Sequence, residues 1–204
     1  MNNGKKNARC GSRVWFDDKN PRNRAMRIPS DPQSNQVSEI AAIIAALEVV
    51  PPYQPVKILT DSKYIIEGLT THLESWENDG WIRIKNASLF RKAAHLMRYR
   101  SVRTTMKWVK GHNRIRGNEG SDALVKQGAN KQNPDPLDLT IPIDFDVPGV
   151  KLSSLTPVTA YKGILEKRKS EPCNTTEKNL KLTHRAIKRI TGNSETNAAI
   201  WRST

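Results

Sequence analysis

Apolar positions change period along the chain, and the changes mark its elements. Arg9–Phe16 and Arg22–Ile28 are short extended runs around the turn-forming Asp17-Asp18-Lys19-Asn20-Pro21, which predicts a β-hairpin. From Asn35 to Val50, the residues Val37, Ile40, Ala41, Ile44 and Leu47 recur at helical spacing. Ala42, Ile43 and Ala46 extend the apolar surface nearly all round, so this helix should be buried. Pro51-Pro52 ends it. Val56–Thr60 predicts a short buried strand, and Asp61 or Ser62 caps a helix running to about Trp76. Ser88–Arg100 predicts a basic helix, Arg103–Val109 a strand and Asn118–Asn130 a further helix. Strands alternating with helices indicate an α/β layer fold.

Pro134-Asp135-Pro136 changes the texture. The pattern predicts a first domain over 1–132, a linker over 133–156 and a basic helical tail over 157–204. Thr140–Gly149 should be extended at most. Thr156 caps a tail helix with Pro157 in its first turn, and Val158, Tyr161 and Leu165 share a face. Asn174 with Glu177 resembles a capping box for a second helix, with Leu180, Ile187 and Ile190 as its seam and Gly192 after its end. Two short helices bury little by themselves, so they should pack on the first domain or on a partner.

Composition narrows the function classes. The mean hydropathy of −0.65 and hydrophobic fraction of 36% suit a soluble protein with a modest core. No stretch approaches the roughly 20 apolar residues that span a bilayer. The start, Met1-Asn2-Asn3-Gly4-Lys5-Lys6, lacks an apolar signal segment and the glycine needed for myristoylation. Cys10 and Cys173 make neither a disulfide framework nor a zinc site, so an intracellular setting, cytoplasmic or nuclear, is expected. The net charge is +14, and eleven Lys/Arg with no acid lie between Trp81 and Arg116. A solvated face is the ordinary explanation of such a run. Thirty-six residues without a compensating acid favour a phosphate backbone as partner.

Three stretches carry candidate chemistry: Asn35-Gln36-Val37-Ser38-Glu39, Leu59-Thr60-Asp61-Ser62, and Trp108-Val109-Lys110-Gly111-His112 leading to Gly117-Asn118-Glu119-Gly120-Ser121-Asp122. Each places a carboxylate at the end of a regular element. Taken singly, Glu39 is an acid in a helix's first turn, Asp61 an N-cap and Asp122 an acid early in its helix. Taken together, carboxylates gathered from separate elements bind a hard divalent cation through oxygen. Glu39 and Asp61 also fall at one edge of the α/β unit, the edge where such folds bind ligands.

At these motifs the chain resembles type 1 ribonuclease H, over roughly Asn3 to Lys131. The resemblance implies a ribonuclease H-like three-layer fold with a five-stranded mixed sheet, and Mg²⁺-dependent cutting of the RNA strand of an RNA–DNA hybrid, with Mn²⁺ as a substitute. Glu39, Asp61 and Asp122 match three acids of the family's Asp-Glu-Asp-Asp quartet and would be its metal ligands. His112 matches its mobile loop His, which assists proton transfer or product release. The intervals of 22, 51 and 10 residues between Glu39, Asp61, His112 and Asp122 suit the family. Asn3, Asn35 and Gln36 match residues that contact the hybrid. Arg83 and Lys85 fall where the family carries a basic handle, here short, and Lys110 lies beside the catalytic loop. Trp76 and Trp81 flank that handle, and packing is the expected role of each.

One departure stands out. The family's first acid lies in a T-D-G-S segment on the first strand, before an N-x-G loop that Asn2-Asn3-Gly4 resembles, and here no acid precedes Asp17. Most of the first, central strand is therefore expected to be missing, as in an N-terminally truncated member or a degenerate copy. Activity of this chain is accordingly in question. The alternatives are a catalytically inactive module that binds hybrid, or a protein-interaction domain in which the tail matters most.

Overall fold

The structure, a computed structural model, describes residues 11–29, 34–110, 124, 127–146, 149–170, 174–192 and 196. The chain forms two compact units, Met1–Ser154 and Leu155–Thr204.

In the first unit, β1 (Gly11–Val14) pairs antiparallel with β2 (Arg24–Arg27), Gly11 opposite Arg27 and Val14 opposite Arg24. Asn23 fastens the intervening turn: its side chain accepts from the Phe16 N–H and donates to the Asp17 carbonyl, both at 2.8 Å. Helix α1 (Asn35–Val49) follows, and the Ser34 hydroxyl accepts from the Val37 N–H at 3.3 Å to cap it. Its Ile40, Ala41 and Ile44 are wholly buried, as their spacing predicts.

Strand β3 (Val56–Thr60) pairs in parallel with β4 (Thr104–Trp108), Val56 opposite Thr104 and Thr60 opposite Trp108. Among the described residues no ladder joins the two strand pairs, so four strands stand there in two sheets rather than in one sheet of five. A single apolar cluster nevertheless runs beneath both. Ile28, Ile40, Ile44, Ile65 and Phe90 form its middle, and Met26, Ile58 and Met106 pack against it.

The helix expected from Asp61 or Ser62 to Trp76 is two helices, α2 (Lys63–Leu69) and α3 (Leu73–Asn78). Thr70 departs from helical backbone at φ −124°, ψ −72°, and its hydroxyl donates to the Ile66 carbonyl at 2.6 Å. Two successive β-branched threonines, Thr70 and Thr71, disfavour continuation there. Helix α4 (Ala87–Tyr99) then brings Phe90 against α2. A Cβ at Gly68 would come within 2.5 Å of the Phe90 ring, so only glycine admits this approach. Trp76 meets Phe90 edge-on at 5.0 Å and Trp81 lies 6.1 Å from Trp76, so both tryptophans serve packing.

The segment read as a linker over 133–156 belongs largely to this first unit, whose boundary falls after Ser154. The Asp135 carboxylate accepts from the Arg27 N–H and from Lys131 Nζ, each at 2.7 Å. The Asp135 N–H in turn donates to the Arg27 carbonyl at 2.8 Å. Leu137 and Leu139 pack on the core, Lys92 Nζ donates to the Thr140 carbonyl at 3.0 Å, and Arg91 pairs with Asp146. Long-range side-chain partners hold this stretch, and no periodicity announces them.

Burial pushes the Asp135 carboxyl up, but Lys131 and the Arg27 N–H outweigh it and hold it below the usual carboxylate range. Asp135→Ala is expected to destabilise the unit by about 1–2 kcal/mol near neutral pH, a charged hydrogen-bond value discounted for partial exposure. A depressed pKa gives stability that is present above the unfolded value and lost as pH falls through the folded one. Urea titrations should therefore separate wild type from variant most widely at about pH 7, and the gap should narrow as the pH falls below the usual carboxylate range.

In the second unit, α5 (Pro157–Ser170) is capped by the Thr156 hydroxyl, which accepts from the Thr159 N–H at 3.1 Å. Helix α6 (Asn174–Thr191) is followed by Gly192 at φ +72°, a left-handed residue suited to ending a helix. No helix among the described residues is long and apolar enough to cross a membrane.

Candidate active site

Asp61 leaves the carboxyl end of β3, and three hydrogen bonds fix that end. The Val109 N–H donates to the Thr60 carbonyl at 2.9 Å, and the Trp108 indole N–H donates to the Asp61 carbonyl at 3.1 Å. The Ser62 N–H donates to Thr60 Oγ1 at 3.1 Å. Lys63 holds its ammonium 5.3 Å from the centre of the Trp108 ring. The neighbouring strand thus sets the direction of the turn that bears Asp61, whose side chain is exposed.

Glu39 is the fifth residue of α1 and lies in its second turn, beyond the orphan N–H groups of the helix start. The first turn carries no acid, and Ser34 supplies the cap. Dipole compensation, the simple explanation for an acid at this place, therefore does not apply. Nor is Asp61 an N-cap. The cap position of α2 is Ser62, and its side chain makes no capping bond. Instead Ser62 neighbours the Glu39 carboxyl and favours its charged form, so the second turn of α1 meets the end of β3.

The charge balance at Glu39 follows from that juncture. Half-burial raises its carboxyl pKa, the Ser62 hydrogen bond lowers it, the Asp61 charge raises it and Arg13 lowers it, with a net rise. A raised carboxylate pKa means that ionised Glu39 opposes folding, an opposition that grows as pH rises through its titration. In the absence of divalent metal, Glu39→Gln should raise Tm at about pH 7 and leave it unchanged near pH 3, where the acid is already neutral. Calorimetry at the two pH values reads this directly. An unchanged or lower Tm at neutral pH would contradict the repulsion inferred here.

The donor chemistry suits a hard divalent cation: two neighbouring carboxylates, one half-buried, the charge of one raising the pKa of the other. Among the described residues no cluster of three or more His, Cys, Asp or Glu is formed. Asp122, His112 and Asn3 lie outside the described residues. Asn35 is exposed and Gln36 half-buried, one turn before Glu39, and Asn35 shares its helix face at four residues' spacing. Lys110 is exposed just beyond β4. Arg83 and Lys85 are exposed on the turn between α3 and α4, where Trp81, Arg83 and Asn86 all have φ near +60°.

The basic run is less uniform than its sequence. Arg100 is buried and donates to the Val50 carbonyl at 2.9 Å, the Pro51 carbonyl at 3.2 Å and the Gln54 carbonyl. Arg98 grips Glu77 with two bonds of 2.5 and 2.7 Å. Lys92 is buried, and Arg91 is paired with Asp146. These four cations serve the fold. Arg83, Lys85, Arg98, Arg103, Lys107 and Lys110 are the exposed cations among the described part of the run, and of these Arg98 is held by Glu77. Sequence reasoning also missed Ser62, Arg13 and Trp108 as supports of the acids. The serine and the tryptophan stand inside the quoted motifs, but their partners are non-local.

The model of a family described as RNase H matches residues 1–130. Ribonuclease H of Schizosaccharomyces pombe is 35% identical over 136 residues, covering 64% of this chain and 50% of that protein. Ribonuclease H of Zymomonas mobilis is 32% identical over 111 residues, covering 52% of this chain and 70% of that one. The chain therefore spans half the length of the first of these relatives and about two thirds of the second. Among solved structures, LC9-RNase H1, a type 1 RNase H with the type 2 active-site motif, is 21% identical at a TM-score of 0.47, over 69% of this chain and 65% of that one. With 130 of 204 residues matched by the family model, the chain belongs to the RNase H family.

Proposed function

We propose that this chain is a nuclease domain built to hydrolyse the RNA strand of RNA–DNA hybrids with Mg²⁺, Mn²⁺ serving as a substitute. Membership of the RNase H family supplies the enzyme class. The observation that carries the residue assignment is the meeting of the second turn of α1 with the end of β3, where Ser62 and the Asp61 charge both act on Glu39. Glu39, Asp61 and Asp122 are the carboxylates that would hold the cation. A bound cation supplies Lewis-acid polarisation of the phosphoryl oxygens and a more acidic water. Ser62 orients Glu39, while Trp108 fixes the backbone under Asp61. His112 is the group that would assist proton transfer or product release. Asn3, Asn35 and Gln36 read the hybrid, whose 2′-hydroxyls distinguish RNA from DNA. Arg83, Lys85 and Lys110 hold phosphates.

A second reading is favoured by the acid count. Three quartet positions are matched and none precedes Asp17, so the 204 residues by themselves would hold Mg²⁺ weakly, cut slowly and act chiefly as a hybrid-binding module. Substrate panels test the main reading. With the fourth acid supplied on an added strand, end-labelled hybrid should be cut internally on its RNA strand alone. Equal cutting of DNA duplex or single-stranded RNA would overturn it.

A further inference from the structure

We propose that the exposed face of α6 is a second nucleic-acid contact, separate from the acid cluster, that grips the phosphate backbone of a duplex. From Lys178 to Thr191 the helix carries Lys178, Lys181, Arg185, Lys188 and Arg189 and no acid. Spacings of 3, 4, 3 and 1 residues place all five within an arc of about 100° on a helix of 3.6 residues per turn. All five are exposed, whereas Leu180, His184 and Ile187, on the adjoining arc, are half-buried. The helix therefore turns its cations outward and Leu180 and Ile187 inward, while Leu182 and Ile190 stay exposed. The row extends about 16 Å, at 1.5 Å of rise per residue. Duplex DNA presents a negative charge about every 1.7 Å of its axis, so such a row faces many phosphates.

Charge complementarity decides the occupant. An anionic lipid surface is the other partner of a basic amphipathic helix, but it requires the apolar arc opposite the cations to enter the lipid. Here Leu180 and Ile187 are already half-buried, which leaves Ile190 as the exposed apolar residue of that side. Moreover, the exposed run after Trp81 keeps fewer cations for phosphate than its sequence promises, since Arg91, Lys92, Arg98 and Arg100 are engaged in the fold. Affinity for nucleic acid should therefore draw heavily on the second unit. This contact would be indifferent to sugar and base, because its chemistry is that of phosphate alone.

The test uses the full chain, a labelled RNA–DNA hybrid and a labelled DNA duplex of the same sequence, with anisotropy followed across a salt series. Exchanging Lys178, Arg185 and Arg189 together for Gln should weaken binding of both duplexes at low salt by about tenfold or more, and should reduce the salt slope by about 2–3. A companion variant, Lys178→Arg with Arg185→Lys and Arg189→Lys, keeps the charge and should bind as wild type. Unchanged affinity and slope in the Gln variant would overturn the proposal, as would equal loss in the charge-preserving one. So would binding to phosphatidylserine–phosphatidylcholine vesicles that the Gln variant loses while its duplex binding stays intact. Because the readout is binding to either duplex, failure here leaves the cleavage reading standing, and failure of cleavage leaves this contact standing.

Discussion

Asp61→Asn, in a chain completed by an Asp-bearing first strand, is expected to slow RNA-strand cleavage by at least about 100-fold at saturating hybrid. Hybrid affinity should stay within about twofold, because phosphate contacts dominate it and Asp61 is not one of them. The substitution keeps shape and size and removes one charge. Trp108 bonds the Asp61 backbone carbonyl rather than its side chain, so the turn should survive. Glu39 would lose the neighbouring charge that helps to raise its pKa. The expected defect is therefore one of metal retention and transition-state charge, with little change in folding. Single-turnover rates and anisotropy on the same preparations separate these effects. A loss below about tenfold would remove Asp61 from the proposed set, since loss of a single charge-stabilising donor alone ordinarily exceeds that.

The regular elements of the first unit were legible where periodicity is strong. The hairpin, α1, β3, α4 and β4 stand within two residues of their expected ends because alternation and helical spacing are properties of neighbours in sequence. Glu39 and Asp61 could be singled out for the same reason, each closing a recognisable motif. What joins them could not, because Ser62 looks like a helix cap in sequence and only the packing of α1 against the end of β3 turns its side chain to Glu39. The break at Thr70 is a local effect that the apolar spacing overrode. The docking of residues 131–146 rests on Asp135, Lys92 and Arg91, whose partners lie 48 to 108 residues distant in the cases of Thr140, Asp146 and Arg27. Charge counting likewise cannot distinguish a phosphate-binding arginine from one that ties carbonyls together.

Arg100 makes that distinction measurable. Its guanidinium serves the carbonyls of Val50, Pro51 and Gln54, the stretch where α1 ends and Pro51-Pro52 leave backbone acceptors without helical partners. Arg100→Ala would strand the buried Val50 acceptor, leave those of Pro51 and Gln54 to solvent and remove the packing of the stem. The expected destabilisation is about 2–4 kcal/mol, from lost charged hydrogen bonds and lost packing together. Arg100→Lys should recover only part of it, because one ammonium cannot reproduce the planar fork. Urea unfolding reads the stability, and the salt slope of hybrid binding reads the charge. The slope should be the same in wild type and in folded Arg100→Lys. A nearly neutral Arg100→Ala with a smaller slope would show instead that Arg100 is a phosphate contact.

The central claim is that Glu39, Asp61 and Asp122 are three parts of a four-acid metal site for hybrid cleavage. Its most direct test is the Mg²⁺-dependent single-turnover rate on an RNA-labelled hybrid, measured for the 204 residues alone and for the same chain preceded by a strand bearing T-D-G-S. The account predicts little or no cutting by the first and internal cutting of the RNA strand by the second. Robust cutting by the 204 residues that Asp61→Asn abolishes would contradict the need for a fourth acid, and no cutting by the extended chain with Mg²⁺ or Mn²⁺ would contradict the claim itself.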